Sequence, residues 1–274
     1  MAQYKQNLHT HTIFCDGAHT PEEIVKQAIA IGFDTIGFSG HATMDFGVSW
    51  EMNREDTVQY QKDVGMLKGK YGDQIRILCG LEVEMLADYD SAGYDYLIGS
   101  SHFMNIGGEI VEFDADAKTV ADVIERYFGG DGMRYAKHYY ESLAELYRYG
   151  IFDIVGHFDI IAKHSENHDF FDVTSKVYQM TALESLHAVA DKMKVFEVNT
   201  GAIARGYRKS PYPAPFLLKE MKNLGCTVVL TSDCHDKNFL DCYYAESLAY
   251  IQSCGFEYIG VMSDVGFVEV KIDG

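Results

Sequence analysis

Short apolar segments alternate with longer segments of helical character along almost the whole chain. One unit starts at Thr20, which can cap a helix, with Pro21 in the first turn and Glu23 completing a capping box. Gly32 ends that helix, and the strand-like residues 34–39 follow. Such alternation is typical of parallel strands joined by helices, and over this length it favours a barrel over an open sheet.

The same alternation predicts the remaining elements. Strands are expected at residues 7–13, 34–39, 75–83, 94–101, 152–156, 195–199, 226–230, 258–261 and 266–272. Further helices are expected at residues 52–71, 133–149, 173–193, 213–224 and 245–254, with a loop or hairpin through Gly107 and Gly108. No repeat, linker or low-complexity run divides the chain, so a single α/β domain over residues 1–274 is predicted.

The composition narrows the class of protein. Hydrophobic residues make up 47% of the 274 residues, but no stretch approaches the ~20 apolar residues of a membrane helix. The first six residues contain no apolar signal-peptide core. Six cysteines are scattered without a CxxC pair, which favours free thiols in a reducing compartment. We therefore expect a cytoplasmic protein with no membrane partner.

The formal net charge of −18 argues against nucleic acid as a partner, because nucleic-acid-binding surfaces are usually basic. An anionic substrate would also be repelled unless local cations reverse the field. Bound divalent ions would dominate the field inside a cleft and resolve that conflict.

Polar side chains fall at or just after the carboxyl ends of the predicted strands. His9 and His11 lie two residues apart in an extended segment, so their side chains leave the same face, roughly 7 Å apart along the chain. Asp233 and His235 repeat this spacing after the strand at 226–230. In a β/α barrel these strand ends share one face, where active sites form. Together with Asp16, the candidate ligands are His9, His11, His41, Glu82, His102, His157, Asp233 and His235.

Imidazole and carboxylate together suit zinc, iron or manganese better than calcium or magnesium. One ion takes three or four protein ligands, so this surplus of candidates predicts a cluster in which Glu82 could bridge two ions. Paired ions stabilise both oxygens of an in-line displacement, and phosphate-ester hydrolysis is the natural use.

A lone HxH pair is weak evidence, and His102 or His157 alone could be a hydrogen-bonded core histidine. The repeated placement at strand ends favours the metal site. The remaining histidines do not lie at strand ends and are expected to have structural or solvent roles: His19, His138, His164, His168 and His187.

The motifs around these residues resemble those of the PHP (polymerase and histidinol phosphatase) superfamily, and within it the stand-alone histidinol-phosphate phosphatases. The resemblance runs from residue 9 to residue 235 and rests on His9-Thr10-His11, Cys15-Asp16-Gly17, Ser39-Gly40-His41, Gly80-Leu81-Glu82, Gly99-Ser100-Ser101-His102, Gly156-His157-Phe158-Asp159 and Ser232-Asp233-Cys234-His235.

The resemblance implies a distorted (β/α)7 TIM-like barrel, the PHP fold, with three divalent metal ions that could be zinc, manganese or iron. It assigns one ion to His9, His11, Glu82 and Asp233, and a second to Glu82, His102 and His157. The third would take Asp16, His41 and His235. The family commonly has an acidic residue where this chain has Gly40, so a carboxylate that could orient His41 is missing from the motif.

The resemblance also implies a phosphate-binding arginine, to which Arg205 corresponds, and its planar fork suits two phosphate oxygens. Lys163 follows the strand at 152–156 and could provide a second positive contact, whereas Arg208 and Lys209 are expected to be solvated. Glu82, Asp233, His235 and Arg205 are assigned catalytic roles. The proton of the leaving group could come from water, His235 or Asp159.

The leading hypothesis is hydrolysis of L-histidinol phosphate, a small-molecule phosphate ester, in histidine biosynthesis. One alternative is a PHP phosphoesterase that acts on another small phosphate ester or on a nucleotide. Another is a metal-stabilised binding or regulatory protein without turnover, which retention of the full ligand set disfavours.

Overall fold

A computed structural model describes residues 4–273 of the chain. Its strands are numbered along the sequence as β1 (Gln6–Asn7), β2 (Thr35–Phe38), β3 (Arg76–Glu84), β4 (Tyr96–Ser100), β5 (Phe103–Ile106), β6 (Glu109–Glu112), β7 (Ile154–Val155), β8 (Val195–Asn199), β9 (Thr227–Thr231), β10 (Tyr258–Ser263) and β11 (Gly266–Lys271). The α-helices are α1 (Pro21–Ala30), α2 (Arg54–Tyr71), α3 (Ala117–Phe128), α4 (Gly132–Leu143), α5 (Lys176–Ala190), α6 (Gly201–Ala204), α7 (Pro215–Asn223) and α8 (Tyr244–Ser253).

Seven parallel strands form the central sheet in the order β1-β2-β3-β4-β7-β8-β9. The sheet curves back on itself, because Thr10, just after β1, pairs in parallel with Cys234, just after β9. Two backbone hydrogen bonds hold this seam, from Cys234 N to His9 O at 3.0 Å and from His11 N to Cys234 O at 2.8 Å. The predicted seven-stranded (β/α) barrel is confirmed.

The barrel is distorted where strands are joined without a covering helix. β3 and β4 are connected by residues 85–95, which contain no helix. The β5–β6 hairpin and two helices, α3 and α4, separate β4 from β7. The hairpin through Gly107 and Gly108 is confirmed, since both glycines take positive φ. Helix α3 was not anticipated from the sequence.

Two predicted strands differ from their expected form. The strand at 7–13 is too long, because β1 pairs with β2 only over Gln6–Asn7 and the following residues form isolated bonds toward Ser39 and Cys234. The strand at 258–261 lies outside the barrel sheet, since β10 pairs antiparallel with β11. No helix among the described residues has both the length and the apolar character needed to cross a membrane.

The lower half of the barrel interior is filled by apolar side chains. This cluster comprises Leu8, Leu78, Tyr96, Ile98, Ile154 and Val229, with Met262 and the partly buried Phe267 of the β10–β11 hairpin packed against it. The hairpin is fastened to the first strand, because Gln6 donates to Gly260 O at 2.8 Å and accepts from Met262 N at 3.1 Å. The hairpin therefore closes the amino-terminal end of the barrel.

Tyr96 crosses the interior at the boundary between this apolar layer and the polar layer above it. Its hydroxyl donates to the carbonyl of Leu8, just after β1, and lies 3.0 Å from the carbonyl of Phe38 at the end of β2. Gly37 and Gly80 leave space for the ring, since a Cβ at either position would overlap the Tyr96 side chain. The glycines in β2 and β3 are thus required by packing.

Gly80→Ala should destabilise the protein by about 1–3 kcal/mol, because the added methyl group overlaps a ring whose hydroxyl contacts two carbonyls and which has no free direction to move. Urea unfolding followed by circular dichroism measures the change. Gly69→Ala in α2 is the matched control, since a Cβ there meets nothing within 4 Å. The control should raise the free energy of unfolding by about 0.5–1 kcal/mol through helix propensity. Equal effects of the two substitutions would contradict the packing argument.

Candidate metal centre

The carboxyl-terminal end of the barrel carries all nine candidate ligands in one network of contacts. Most follow a strand directly, because each parallel strand ends at this face and the chain turns there into a loop. Asp16 arrives from the loop between β1 and α1, where its carboxylate lies 3.3 Å from His11 Nδ1 and 3.0 Å from His235 Nε2. The structure therefore brings together residues separated by more than 200 positions in sequence.

Glu82 lies at the centre of this network, with 1% of its side chain exposed. Imidazole nitrogens from five histidines lie within 3.5 Å of its two carboxylate oxygens. The distances are 3.1 Å to His9 Nε2, 3.5 Å to His11 Nε2 and 3.0 Å to His41 Nδ1 from Oε2, and 3.5 Å to His102 Nε2 and 3.0 Å to His157 Nε2 from Oε1. Because imidazole nitrogens lie beside both of its oxygens, the Glu82 carboxylate is suited to bridge two ions.

Three overlapping groups of ligand atoms are compact enough to hold a metal ion, with all atoms of a group within 4.8 Å of one another. The groups are His11-Asp16-His41-His235, His9-His11-Asp233 and His41-Glu82-His102. They resemble the three-ion partition expected from the sequence motifs, with three differences. His11 and His41 each belong to two groups, Glu82 belongs to one group instead of two, and His157 contacts Glu82 from outside the groups.

Buried polar atoms without partners mark where ions would fit. His9 Nε2, His11 Nε2 and Glu82 Oε2 are buried and have no hydrogen-bond partner among residues 4–273. An unsatisfied buried polar group costs about 1–3 kcal/mol, and more when it is charged. Because His9 Nε2 lies 3.1 Å and His11 Nε2 3.5 Å from Glu82 Oε2, a cation bound between them would satisfy all three atoms. The donor set of imidazole and carboxylate fits zinc, manganese or iron.

The protonation states favour cation binding at the carboxylates. Burial alone would raise the pKa of Glu82, but His9, His41 and His102 hold it well below its usual range. Burial also opposes ionisation of Asp233, whose pKa is nevertheless held well below its usual range by Arg205, His9 and His11. Both groups are therefore anionic at neutral pH.

The pKa values of His41 and His102 are shifted in opposite directions. Burial lowers the pKa of His41 to about 4, despite the opposing attraction of Glu82, so its imidazole is neutral and ready to ligate. Burial has the same tendency at His102, but Glu82 and Glu84 overcome it and raise its pKa to about 9. Metal ligation requires the neutral imidazole, so a cation bound at His102 would displace its proton.

Two buried carboxylates behind the ligands were missed in the sequence. Glu84 accepts from the backbone N–H of His102 at 2.6 Å and lies 3.2 Å from its Nδ1. Glu197 lies 2.9 Å from His9 Nδ1 and accepts from Thr231 Oγ1 at 2.8 Å and from the His157 backbone N–H. Each fixes the ring of a candidate ligand histidine, and the available signal was a carboxylate inside an otherwise apolar strand.

The position of Gly40 is tightly packed. A Cβ there would lie 3.1 Å from Met52 Sδ and 3.4 Å from Cys15 Sγ, so these two side chains would have to shift to admit a larger residue. His41 is held instead by Glu82, 3.0 Å from its Nδ1, and by the edge of the Trp50 ring at a centroid distance of 4.4 Å.

A cleft of about 220 Å³ opens directly onto the cluster. The residues that line it and are not candidate ligands are Trp50, Glu112, Asp114, Ile160, Lys163, Arg205 and Tyr207. The structure thus places both expected cations, Arg205 and Lys163, at the site. The indole of Trp50 donates to Glu112 Oε1 at 3.3 Å, which places an aromatic surface and a carboxylate side by side in the same cleft.

Both cations are anchored by carboxylates. Arg205 donates through NH2 to Asp233 Oδ2 at 2.9 Å and through NH1 to the Asp233 carbonyl at 3.2 Å, and its NH1 lies 3.0 Å from His235 Nδ1. Lys163 donates to Asp114 Oδ1 at 2.8 Å, and its Nζ lies 4.6 Å from the centroid of the Tyr207 ring. Asp114, also missed in the sequence, therefore positions Lys163 at the cleft.

Other sequence expectations have mixed outcomes. Arg208 was expected to be solvated, but this is wrong: its side chain is only 6% exposed, because it donates to Ala162 O and to both oxygens of Ser210. Lys209 is exposed, as expected. Asp159, considered as a proton donor, is fully buried, accepts from Ala214 N at 2.9 Å and does not line the cleft. The histidines given structural or solvent roles do not line it either: His19, His138, His164, His168 and His187.

Comparisons with known proteins agree with this geometry. The model of the PHP domain family matches residues 7–201. The chain is 28% identical over 264 residues to a protein of Deinococcus radiodurans named probable histidinol-phosphatase, covering 90% of this chain and 92% of that one. It is 24% identical over 273 residues to the histidinol-phosphatase of Bacillus subtilis, covering 91% and 99% of the two chains.

A solved structure shares the fold. It is the histidinol phosphate phosphatase of Lactococcus lactis, complexed with zinc, L-histidinol and phosphate. The TM-score is 0.75 at 23% sequence identity, with 97% of this chain and 100% of the other covered.

Glu197→Gln should weaken zinc binding by about 10–100-fold, because the amide orients the His9 ring less strongly than the carboxylate and no longer increases its basicity. Competition with a chromophoric chelator measures the affinity of the metal-depleted protein. Glu184→Gln, at an exposed position of α5, is the control with the same change of charge. Zinc affinity unchanged by Glu197→Gln in a protein with native circular dichroism would contradict this role.

Proposed function

The chain belongs to the PHP domain family, and from this premise we propose that it is a metal-dependent phosphomonoesterase that hydrolyses L-histidinol phosphate to L-histidinol and phosphate. The observation that carries the proposal is the cluster around Glu82, whose unpartnered buried atoms adjoin a cleft that also contains Arg205 and Lys163. The names of the relatives, and the zinc, L-histidinol and phosphate in the Lactococcus lactis structure, support the same substrate and a role in histidine biosynthesis.

We propose three divalent ions at the cluster, with zinc, manganese or iron as candidates. His9, His11, Glu82 and Asp233 would hold one, and Glu82, His102 and His157 a second. Asp16, His41 and His235 would hold the third. When bound, divalent ions in such a cluster activate water and withdraw charge from phosphoryl oxygens.

Arg205 and Lys163 would bind the phosphate group. A guanidinium carries five N–H donors and an ammonium three, so both retain free donors beyond those used on Asp233 and Asp114. Their charges are already held by carboxylates, so little rearrangement is needed when charge develops on the phosphoryl oxygens. Because both cations are paired with carboxylates, the bound divalent ions would supply the net positive charge that lets a protein with a net charge of −18 attract an anion.

Glu112 and Trp50 would bind the other end of the substrate. Histidinol carries an amine and an imidazole, and a carboxylate beside an indole face complements a cation and an aromatic ring. The cleft then has a cationic region for phosphate and an acidic, aromatic region for the amino alcohol. This division of charge favours histidinol phosphate over the phosphate ester of an uncharged alcohol or a nucleotide.

A cytoplasmic location is proposed as well. All six cysteines are free thiols, of which Cys79, Cys226, Cys234 and Cys254 are buried. Free thiols are typical of proteins in a reducing compartment.

The metal-loaded protein should release phosphate from L-histidinol phosphate with a kcat/KM at least about a hundredfold higher than from p-nitrophenyl phosphate, glycerol phosphate or a nucleoside monophosphate. A phosphate-release assay across this panel measures the preference. Glu82→Gln and Asp233→Asn, which neutralise two carboxylates of the cluster, should abolish turnover of every ester. Comparable rates across the panel would refute L-histidinol phosphate as the preferred substrate but not phosphate-ester hydrolysis as the reaction. Full activity in both variants would refute catalysis at this cluster.

Glu112→Gln should raise KM for L-histidinol phosphate by about tenfold and leave KM for p-nitrophenyl phosphate within a factor of about two, because only the first ester carries an amine. Steady-state kinetics on both substrates measure this difference. Glu109→Gln, at an exposed position of the same hairpin, is the matched control. An equal rise in KM for both esters would contradict a contact with the amine.

A further inference from the structure

Lys163 and Arg205 belong to two neighbouring loops that the sheet alone holds only weakly. Lys163 lies in the loop that follows β7, and Arg205 lies in the segment that follows β8. β7 has two residues and pairs with β8 through a single residue pair, Val155 with Phe196. Besides the carboxylate anchors Asp114 and Asp233, contacts between the two loops can therefore fix the separation of the two cations.

Glu166 reaches from the first loop to three consecutive residues of the second. Its Oε2 accepts from the backbone N–H of Lys209 at 2.7 Å, and its Oε1 accepts from the Ser210 hydroxyl at 2.7 Å. The same Oε1 lies 3.7 Å from Arg208 Nε. Hydrogen bonds to an ionised carboxylate are roughly twice as strong as neutral ones, so this side chain joins the loops firmly.

Arg208 makes the reverse connection, from the second loop to the first. Its NH1 donates to Ala162 O at 3.1 Å, and Ala162 directly precedes Lys163. Its other nitrogens donate to the carbonyl and hydroxyl of Ser210, and its guanidinium lies 4.7 Å from the centroid of the Tyr212 ring. Burying this charge is tolerated only because these partners satisfy it.

Further contacts link the loops at the edge of the cleft. Asn167 donates to Tyr207 O at 2.8 Å, and Lys163 lies over the Tyr207 ring. Tyr207 and Lys163 both line the cleft, whereas Glu166 and Arg208 do not. Glu166 and Arg208 thus connect the segments that carry the two cations without reaching the space where a phosphate would bind.

We propose that Glu166 and Arg208 form an inter-loop clamp that sets the spacing between Lys163 and Arg205, and that both are positioning residues for a bound phosphate. The inference rests on the proposed function only in taking phosphate as the ligand of the cleft. Preorganised donors bind an anion without first losing conformational entropy, so loosening the clamp weakens phosphate binding without removing a single contact to it.

The test is calorimetric titration of the metal-loaded full chain with inorganic phosphate. Glu166→Gln keeps the shape of the side chain but places an amide where Lys209 N needs an acceptor, and it should raise the Kd by about fivefold to tenfold. Arg208→Lys keeps the positive charge but loses the forked guanidinium donors, and it should also raise the Kd for phosphate. This variant tests the clamp if Glu166→Gln does not fold. Glu184→Gln is the matched surface control.

A double-mutant cycle separates positioning from general structural damage. In a background of Lys163→Met and Arg205→Met, the clamp has no cations to position, so Glu166→Gln should change the Kd by less than about twofold. Metal content and circular dichroism are compared in all variants. An equal loss of affinity in both backgrounds would overturn the proposal, as would an unchanged Kd in the folded single variants.

The experiment does not depend on turnover. If the wild-type protein binds phosphate and hydrolyses no ester, the proposed function fails and the clamp is still tested by the cycle. If the protein hydrolyses L-histidinol phosphate and both clamp variants bind phosphate like the wild type, the clamp alone is refuted.

Discussion

The contact on which the upper half of this structure depends is the burial of one carboxylate, Glu82, against five imidazoles. A carboxylate that is 1% exposed requires compensating positive charge or strong donors. The histidines that provide them follow four different strands, β1, β2, β4 and β7, so the barrel must close in a register that brings these strand ends together. Glu84 and Glu197 extend this requirement outward, since each fixes the ring of a candidate ligand histidine.

The barrel therefore has two layers with opposite chemistry. Below, apolar side chains pack without polar partners and the β10–β11 hairpin seals the end. Above, the buried side chains include the histidines and carboxylates of the metal site. Tyr96 separates the layers, because its ring packs in the lower one while its hydroxyl contacts the carbonyls of Leu8 and Phe38. The lower layer supplies hydrophobic stability, which allows the upper layer to retain buried atoms that have no protein partner.

The sequence predicted most of what depends on local pattern. Strand and helix periodicity located the barrel strands, and most ligands were predicted from their place at or after a strand end, whereas Asp16 was assigned from the family motif Cys15-Asp16-Gly17. What it did not predict depends on distant partners. Glu197 is informative only once His9 lies beside it, and Arg208 is buried by Ala162, which is 46 residues away. The strand after residue 7 was predicted too long because extended residues need a partner to count as a strand, and Thr10 finds one only in Cys234. Helix α3 was missed altogether.

The seam of the barrel has a consequence for assembly. Thr10 and Cys234, which close the ring of strands, alternate in sequence with His9, His11, Asp233 and His235. The side chains flanking the seam approach one another across it, with His11 Nε2 3.2 Å from Asp233 Oδ1. A cation held there cross-links the two ends of the chain as a disulfide would, but reversibly. Binding of a cation would therefore stabilise the closed barrel, so metal supply would bear on the integrity of the fold as well as on its chemistry.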